Sequence, residues 1–546
     1  MALLSVQNLT FTYAAAATPA VQNVSFDVKD GECMLLCGQS GCGKTTLLRL
    51  LKREIAPVGR ENGSIMYDDV CINNGKQIAG AAQIGFVGQN PDNQIVTDTV
   101  WSELAFGLEN LGVQPHEMHR RVAEIAQYFG ITDWLYKKTD SLSGGQKQLL
   151  NLAAVMVMQP KLLILDEPTA QLDPIAATAF LTTLHRLHQD NGLTILLTEH
   201  RLEEVFPIAD TVMVMDAGNI AVCTAPAQVG VQLRALDTHH FMLDALPTPM
   251  RVFDALDLDT VCPLTVRDGR DFLLRHFAGG SEDLPTAPDL QEMVMSIHNA
   301  WFRYERDLPD VLRGVNLAVH KGEWFCLLGG NGSGKTTTLQ LLAGLHTPYR
   351  GTVKIFDKKI EKYTHNTLYQ GVLSLLPQNP QTVFSQDTVR ADLMENAQST
   401  AMLDSVCERV GITHLFDRHP YDLSGGEMQK CALAKLLLSS PKIILLDEPT
   451  KGLDTTSKQE LATLLLSLKA EGITIVTVTH DVEFAAMYAD RCALFFDGQI
   501  GAAEPTKSFF ANNMFYTTAA HRMAKDLWRY AVTADDVIAR AWEELT

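Results

Sequence analysis

Gly38-Gln39-Ser40-Gly41-Cys42-Gly43-Lys44-Thr45-Thr46 is a complete G-x-x-x-x-G-K-[ST] phosphate loop, and its setting decides the fold. An apolar run, Cys33 to Cys37, precedes it, and a helical pattern (LLRLLKRE, from Leu47) follows. This is the strand–loop–helix context such a loop requires. Gly38, Gly41 and Gly43, with Ser40 between them, let successive backbone N–H groups turn inward around phosphate oxygens. The following helix points its positive end at the same anion, Lys44 adds a charge, Thr45 can hold Mg²⁺, and Thr46 closes the motif. The stretch recurs as Gly329-Gly330-Asn331-Gly332-Ser333-Gly334-Lys335-Thr336-Thr337. Gly329, Asn331, Gly332 and Gly334 then form the second cradle, with Lys335, Thr336 and Thr337 in the charged and metal-facing places. Two copies, each in the right setting, leave little room for a purely structural loop.

The repeat extends along the chain. Tyr13 lies 31 residues before Lys44, and Tyr304 lies 31 before Lys335. Ser143 precedes Asp166 by 23 residues, and Ser424 precedes Asp447 by 23. The chain therefore reads as a tandem duplication. We expect a first α/β domain over 1–235 and a second over 292–513. Each should have a mixed β-sheet core and a helical part after the glutamine-containing segment (residues 99–138 in the first). Residues 236–291 read as an acidic, proline-containing connecting segment in which MRVFDALDLD and VRDGRDFLLRHF could form short helices, with 281–289 as linker proper. Residues 514–546 read as a helical tail.

Composition agrees with a folded multidomain chain: 546 residues, 46% hydrophobic and 20% charged. The net charge of −19 argues against a general attraction to nucleic acid or anionic lipid. The ten cysteines show no C-x-x-C spacing, so zinc or iron–sulfur ligation is not expected, and reduced thiols in a cytosolic protein fit better. The N-terminus has neither the basic region nor the apolar core of a signal peptide. No apolar run approaches the ~18 residues of a membrane span.

Two further motifs are duplicated. Short apolar strands end in acid pairs, LLILDE (Asp166, Glu167) and IILLDE (Asp447, Glu448). Adjacent carboxylates after apolar strand residues are costly unless charge compensates them. A Mg²⁺ held by the first, with the second activating water, accounts for them better than helix capping. LSGGQ (142–146) and LSGGE (423–427) each open a helix. Ser143, Gly144 and Gly145, like Ser424, Gly425 and Gly426, make a second anion-binding helix start, of a kind that in isolation would pass for an N-cap.

Together these motifs resemble the nucleotide-binding domain of ABC ATPases, twice over, which implies two P-loop NTPase domains packed head to tail. The resemblance implies that Tyr13 and Tyr304 stack on the adenine of ATP. Gln89 and Gln378 would touch Mg²⁺ or water and sense the partner, and Glu167 and Glu448 would polarise the attacking water. His200 and His480 would contact the γ-phosphate, and Asp173 and Asp454 would lie in loops crossing between the halves. It implies two composite sites. One joins Lys44, Asp166 and Glu167 to Ser424, Gly425 and Gly426; the other joins Lys335, Asp447 and Glu448 to Ser143, Gly144 and Gly145. Both should be hydrolytically competent, though Gln146 and Glu427 make them unequal.

The segment GQNPDNQIVTDTVWSELAFGLENLG, which begins at Gly88, closely resembles its counterpart in energy-coupling factor (ECF) ATPases, which serve vitamin and transition-metal importers. The second copy, PQNPQTVFSQDTVRADL, resembles it less, so the seats for membrane partners should differ. The expectation is an ATP-hydrolysing subunit, peripheral to the cytoplasmic face of the membrane. Its partners would be a transmembrane scaffold and a membrane-embedded substrate-binding subunit, and not nucleic acid. The alternatives are the ATPase of a conventional ABC transporter, or a soluble ABC ATPase acting on ribosomes or another macromolecule.

Overall fold

The computed structural model describes residues 2–14, 16–73, 82–258, 260–280 and 291–546. It divides into two units, Met1–Thr265 and Val266–Thr546.

In the first unit a six-stranded sheet runs in the order Asn219–Thr224, Thr211–Asp216, Cys33–Gly38, Thr194–Thr198, Leu162–Asp166, Ile84–Val87. All neighbours are parallel except the first pair. Cys33–Gly38, Leu162–Asp166 and Thr194–Thr198 are buried at every position, which is why they read as unbroken apolar runs. A second, antiparallel sheet (Val21–Lys29, Ala2–Tyr13, Gly59–Tyr67, Val70–Cys71) alternates buried and exposed residues, as a sheet with one wet face does. The register pairs Leu36 and Asp166 with Thr198, so the phosphate loop, the acid pair and the histidine leave the sheet at one edge, beyond the strands' carboxyl ends. That is where open parallel sheets hold ligands.

The second unit repeats both sheets. Its antiparallel sheet orders Leu312–His320, Met293–Phe302, Arg350–Ile355 and Lys358–Lys359. Its main sheet orders Leu373–Leu376, Ile443–Asp447, Thr474–Thr479, Trp324–Leu328, Arg491–Phe496 and Gln499–Ile500, with Glu504–Pro505 beside Arg491–Phe496. The helical part follows the glutamine segment in both units, but its first helix shrinks from 11 residues (Val100–Asn110) to 6 (Val389–Met394). After Met394 the run ENAQST offers Ala397 as its one apolar residue, and Ser399 already caps the next helix.

Among its described residues, the stretch read as a connecting segment carries helices. Met242–Ala245 and Thr248–Leu256 belong to the first unit, and Met242, Leu246 and Met250 are buried in its core, next to Leu233 of the preceding helix Val229–Leu236. Val266–His276 belongs to the second unit and packs on Ala519–Ala524 of the tail. The tail is part of that unit's packing: Val532 is buried with Phe509, Phe510 and Cys492. The expected linker at 281–289 lies outside the described residues. Among the described residues no helix is long and apolar enough to cross a membrane.

Candidate functional site

Each phosphate loop joins a buried strand to a helix, Lys44–Leu51 in the first unit and Lys335–Leu342 in the second. Glycine is required at the loop's first position. Gly38 has φ 147°, and a Cβ there would run into the Met215 carbonyl oxygen; Gly329 has φ 158° and faces the Phe495 carbonyl in the same way. Gly43 and Gly334 take φ 103° and 118° as the N-caps of their helices. The lysines are buried beneath the loops. Lys44 Nζ donates to the carbonyls of Gly38 (2.8 Å) and Gln39 (3.0 Å), and Lys335 Nζ to those of Gly329 and Gly330 (both 2.9 Å). Ser40, Gly41, Asn331 and Gly332 form the exposed crests, where an anion can approach.

The tyrosines stand beside the loops. Tyr13 Oη lies 2.9 Å from Thr46 Oγ1, and Tyr304 Oη 3.0 Å from Thr337 Oγ1. Their rings are braced edge-on by Phe11 and Phe302 and remain 37% and 53% exposed, enough to offer a face to a planar base.

The acid pairs meet the loops through the first carboxylate. Thr45 Oγ1 donates to Asp166 Oδ1 and Thr336 Oγ1 to Asp447 Oδ1, each at 3.1 Å. A hydroxyl and a carboxylate at this separation form an oxygen pair that fits a hard divalent cation completed by water and phosphate oxygens. Asp166 also accepts from Thr198 Oγ1 (3.0 Å); the second unit has Val478 at that place. Burial raises the Asp166 pKa, and the neighbouring Glu167 charge adds to this against the two hydroxyl bonds. Burial pushes Asp447 up to about 6; the Thr336 bond opposes this and the Glu448 charge adds to it. Such carboxyls take up charge readily once a cation is beside them.

Glu167 and Glu448, the residues after each strand, have φ 45° and 50°. Left-handed backbone in a non-glycine residue costs about 1 kcal/mol or more and is kept only where neighbours fix it. Here Glu167 N–H donates to Thr198 O (3.1 Å) and Oγ1 (2.9 Å), and Glu448 N–H to Val478 O (2.8 Å). The sharp turn brings each glutamate to the histidine of the next strand: His200 Nε2 is 2.8 Å from Glu167 Oε1, and His480 Nδ1 is 2.9 Å from Glu448 Oε2. Gln89 Nε2 donates to Glu167 Oε2 at 3.0 Å. The Gln378 side chain is exposed and makes no hydrogen bond among the described residues. Lys335 Nζ lies 3.9 Å from Glu448 Oε1. Burial alone would raise the Glu448 pKa, but His480 and Lys335 hold it below the ordinary carboxylate value. A buried, ionised glutamate beside a histidine and a phosphate loop is suited to hold and orient a water.

Ser143 and Ser424 are the N-caps of Gly144–Met156 and Gly425–Leu437, each in a reciprocal capping box with Gln146 or Glu427. Both serines thus cap their helices, and Gly144 and Gly425 remain exposed at the positive helix ends. Burial would raise the Glu427 pKa, but its bonds to Ser424, with Arg418 and His414 nearby, hold it below the ordinary value, so one of these helix starts carries a charge that Gln146 does not. Asp173 and Asp454 cap the helices Pro174–Asn191 and Thr455–Ala470, accepting from Ala176 N–H (2.8 Å) and Ser457 N–H (2.7 Å). Glu199 escaped the sequence reading. It is a buried carboxylate immediately before His200, and the second copy has Thr479 there, a difference visible on aligning TEH with VTH.

The ABC transporter family model matches residues 21–170 and 312–451. A protein of Bacillus thuringiensis subsp. konkukian, named as an ABC transporter ATP-binding protein, is 42% identical over 539 residues, 97% of each chain. A Bacillus subtilis protein whose name gives it HMP/thiamine import is 31% identical over 511 residues, 91% of this chain and 90% of its own. Among solved structures, cbiO1 of Clostridium perfringens, part of the ABC transporter complex cbiONQ, is 30% identical, covering 44% of this chain and 97% of its own at TM-score 0.39. The archaeal ribosome recycling factor aABCE1, solved with the stalk protein aP1, covers 92% of this chain and 91% of its own at TM-score 0.59; at 19% identity that is a likeness of fold alone. With the family model matched in both halves and a 42% identical relative over nearly its whole length, the chain belongs to the ABC transporter family, as an ATP-hydrolysing ATPase with two ATP-binding domains in tandem.

Proposed function

We propose that this chain energises an importer of the energy-coupling factor type, hydrolysing Mg-ATP at the cytoplasmic face of the membrane. A vitamin or transition metal is the cargo, bound and carried by a separate membrane-embedded subunit and a transmembrane scaffold. The observation that carries the reading is the relative named for HMP/thiamine import, 31% identical over 91% of this chain. The ECF-like segment around Gln89 supports it from the sequence side. With no helix suited to cross a membrane among the described residues, the proposal assigns the spans to partner polypeptides.

Lys44 and Lys335, with their loop amides, hold the phosphates, and Tyr13 and Tyr304 take the adenine. Thr45 with Asp166, and Thr336 with Asp447, would hold Mg²⁺, with Gln89 and Gln378 touching it or its water; bound there, the ion would neutralise phosphate charge. Glu167 and Glu448 orient a water whose oxygen bonds to the γ-phosphorus as the bond to the β–γ bridging oxygen breaks and ADP leaves. His200 and His480 hold the γ-phosphate. Following the family resemblance, Ser424-Gly425-Gly426 completes the first half's site and Ser143-Gly144-Gly145 the second's, so that ATP clamps the halves and hydrolysis releases them.

The test is affinity capture of the tagged Glu167→Gln, Glu448→Gln double variant from detergent-solubilised membranes, with mass spectrometry of what accompanies it. Recovery of a multi-span scaffold and a small membrane-embedded binder is the expected result. Recovery of ribosomal proteins would keep the ATPase chemistry and overturn the transport assignment.

A further inference from the structure

The strands Thr194–Thr198 and Thr474–Thr479 both lead to the site histidine, but through different residues: Glu199 in the first unit, Thr479 in the second. Glu199 is 2% exposed. Its Oε1 accepts the Thr169 N–H (2.9 Å) and its Oε2 the His200 N–H (3.1 Å). Thr169 lies two residues past Glu167, at the start of the turn that leads to Asp173. One carboxylate thus ties the backbone of the histidine to the segment that follows the glutamate. In the second unit the Thr479 hydroxyl donates instead to Glu448 Oε2 (3.1 Å), and the His480 N–H donates to that same oxygen (3.2 Å). The amide that Glu199 takes in the first half therefore goes, in the second, to the site glutamate itself.

The two glutamates accordingly lie differently. Glu448 is drawn against Thr479, His480 and Lys335. Glu167 reaches Gln89 with one oxygen and faces the other ring nitrogen of its histidine with the other. A buried carboxylate is expensive unless hydrogen-bonded, and both Glu199 oxygens are spent on main-chain amides, so its work is on the backbone of these two segments.

We propose that Glu199 is a positioning residue of the first half's ATP site. By holding the His200 and Thr169 amides it keeps Glu167 directed at Gln89, so the first glutamate starts beside the glutamine that meets the nucleotide, and the second starts against its own histidine and lysine. This rests on the reading of Glu167 and Glu448 as the water-orienting residues.

The test is steady-state Mg-ATP hydrolysis by the purified full-length chain, in the wild type and again with Glu448→Gln. Glu199→Thr installs the residue the second half already carries there. It should lower kcat about five- to tenfold, the worth of one or two hydrogen bonds, with KM for ATP changed less than about twofold. Rates are taken per chain able to bind fluorescent nucleotide, so that lost folding is not read as lost turnover; the proposal is overturned if kcat on that basis is unchanged or if KM rises in step with the loss. Glu167→Gln with Glu448→Gln separates the two levels. Turnover persisting in that double variant sinks the catalytic reading underneath. Turnover abolished there, with Glu199→Thr fully active, sinks this inference alone.

Discussion

Lys458 and Asp481 pair at 2.6 Å in the second unit, at places where the first unit has Ala177 and Arg201. Asp481 follows His480 directly and caps the helix Val482–Tyr488, accepting from Phe484 N–H at 3.1 Å. Burial would raise its pKa, but the Lys458 ammonium more than offsets this and draws it down to about 2. A depressed folded pKa gives stability that is complete above the unfolded value, about 4, and disappears as pH falls towards 2. Lys458→Ala leaves the carboxylate buried without its cation, so the unit should lose about 1–3 kcal/mol at pH 7. Its acid unfolding should also begin at higher pH than in the wild type. Urea titrations at pH 7 and pH 4 check both: a loss no larger at pH 7 than at pH 4 contradicts the assignment. Arg201, by contrast, donates to the Leu172 carbonyl at 2.9 Å, so the first unit fixes the same turn through the main chain.

The helix Val266–His276 and the tail helices Ala519–Ala524 and Ala534–Leu545 form one packed group. Arg270 pairs with Asp526 at 2.6 Å, the Phe277 and Trp528 rings are 5.6 Å apart, and the Trp528 indole N–H donates to Glu544 at 3.2 Å. Trp528 is 2% exposed, so Trp528→Ala should destabilise the second unit by about 3–5 kcal/mol, and Trp528→Phe by less. Urea unfolding of both variants measures the difference, and an effect below about 1 kcal/mol would show the tail to be a loosely held appendage. Local reasoning reached the helices but not their attachment. MRVFDALDLD and VRDGRDFLLRHF show helical spacing, yet nothing within them says that one joins the unit before it and the other the unit after. The strands were easier, because buried parallel strands are apolar throughout and each ends at a motif of fixed spacing. Lys44, Asp166, Glu167 and His200 were legible for that reason: strand ends and a tight loop place them together whatever the surroundings. Glu199 was not, since a lone carboxylate at a strand end carries no motif, and only its burial and two amide partners give it a role.

At the scale of the whole chain the question is whether duplicated motifs mean duplicated turnover. On the proposed roles each half carries a full set of residues, so Glu167→Gln and Glu448→Gln should each reduce hydrolysis while leaving nucleotide affinity within about twofold. The environments differ in three ways that bear on rate. Asp166 has two hydroxyl donors where Asp447 has Val478 in place of the second. Glu167 accepts a hydrogen bond from Gln89, whereas Gln378, equally exposed, makes none among the described residues. Glu448 is held by Thr479, His480 and Lys335 before any water is bound. A glutamate already beside the glutamine has less rearrangement to make, so the chain that keeps Glu167 should be the faster of the two variants. Steady-state hydrolysis of Glu448→Gln and Glu167→Gln, with fluorescent-nucleotide binding as the affinity control, decides it. Equal residual rates would mean that the halves, once engaged with ATP, converge on one geometry and that the asymmetry belongs to the resting chain. A faster Glu167→Gln would mean that the tightly held Glu448 is the better placed of the two for water, and that Gln89 restrains Glu167 and does not assist it.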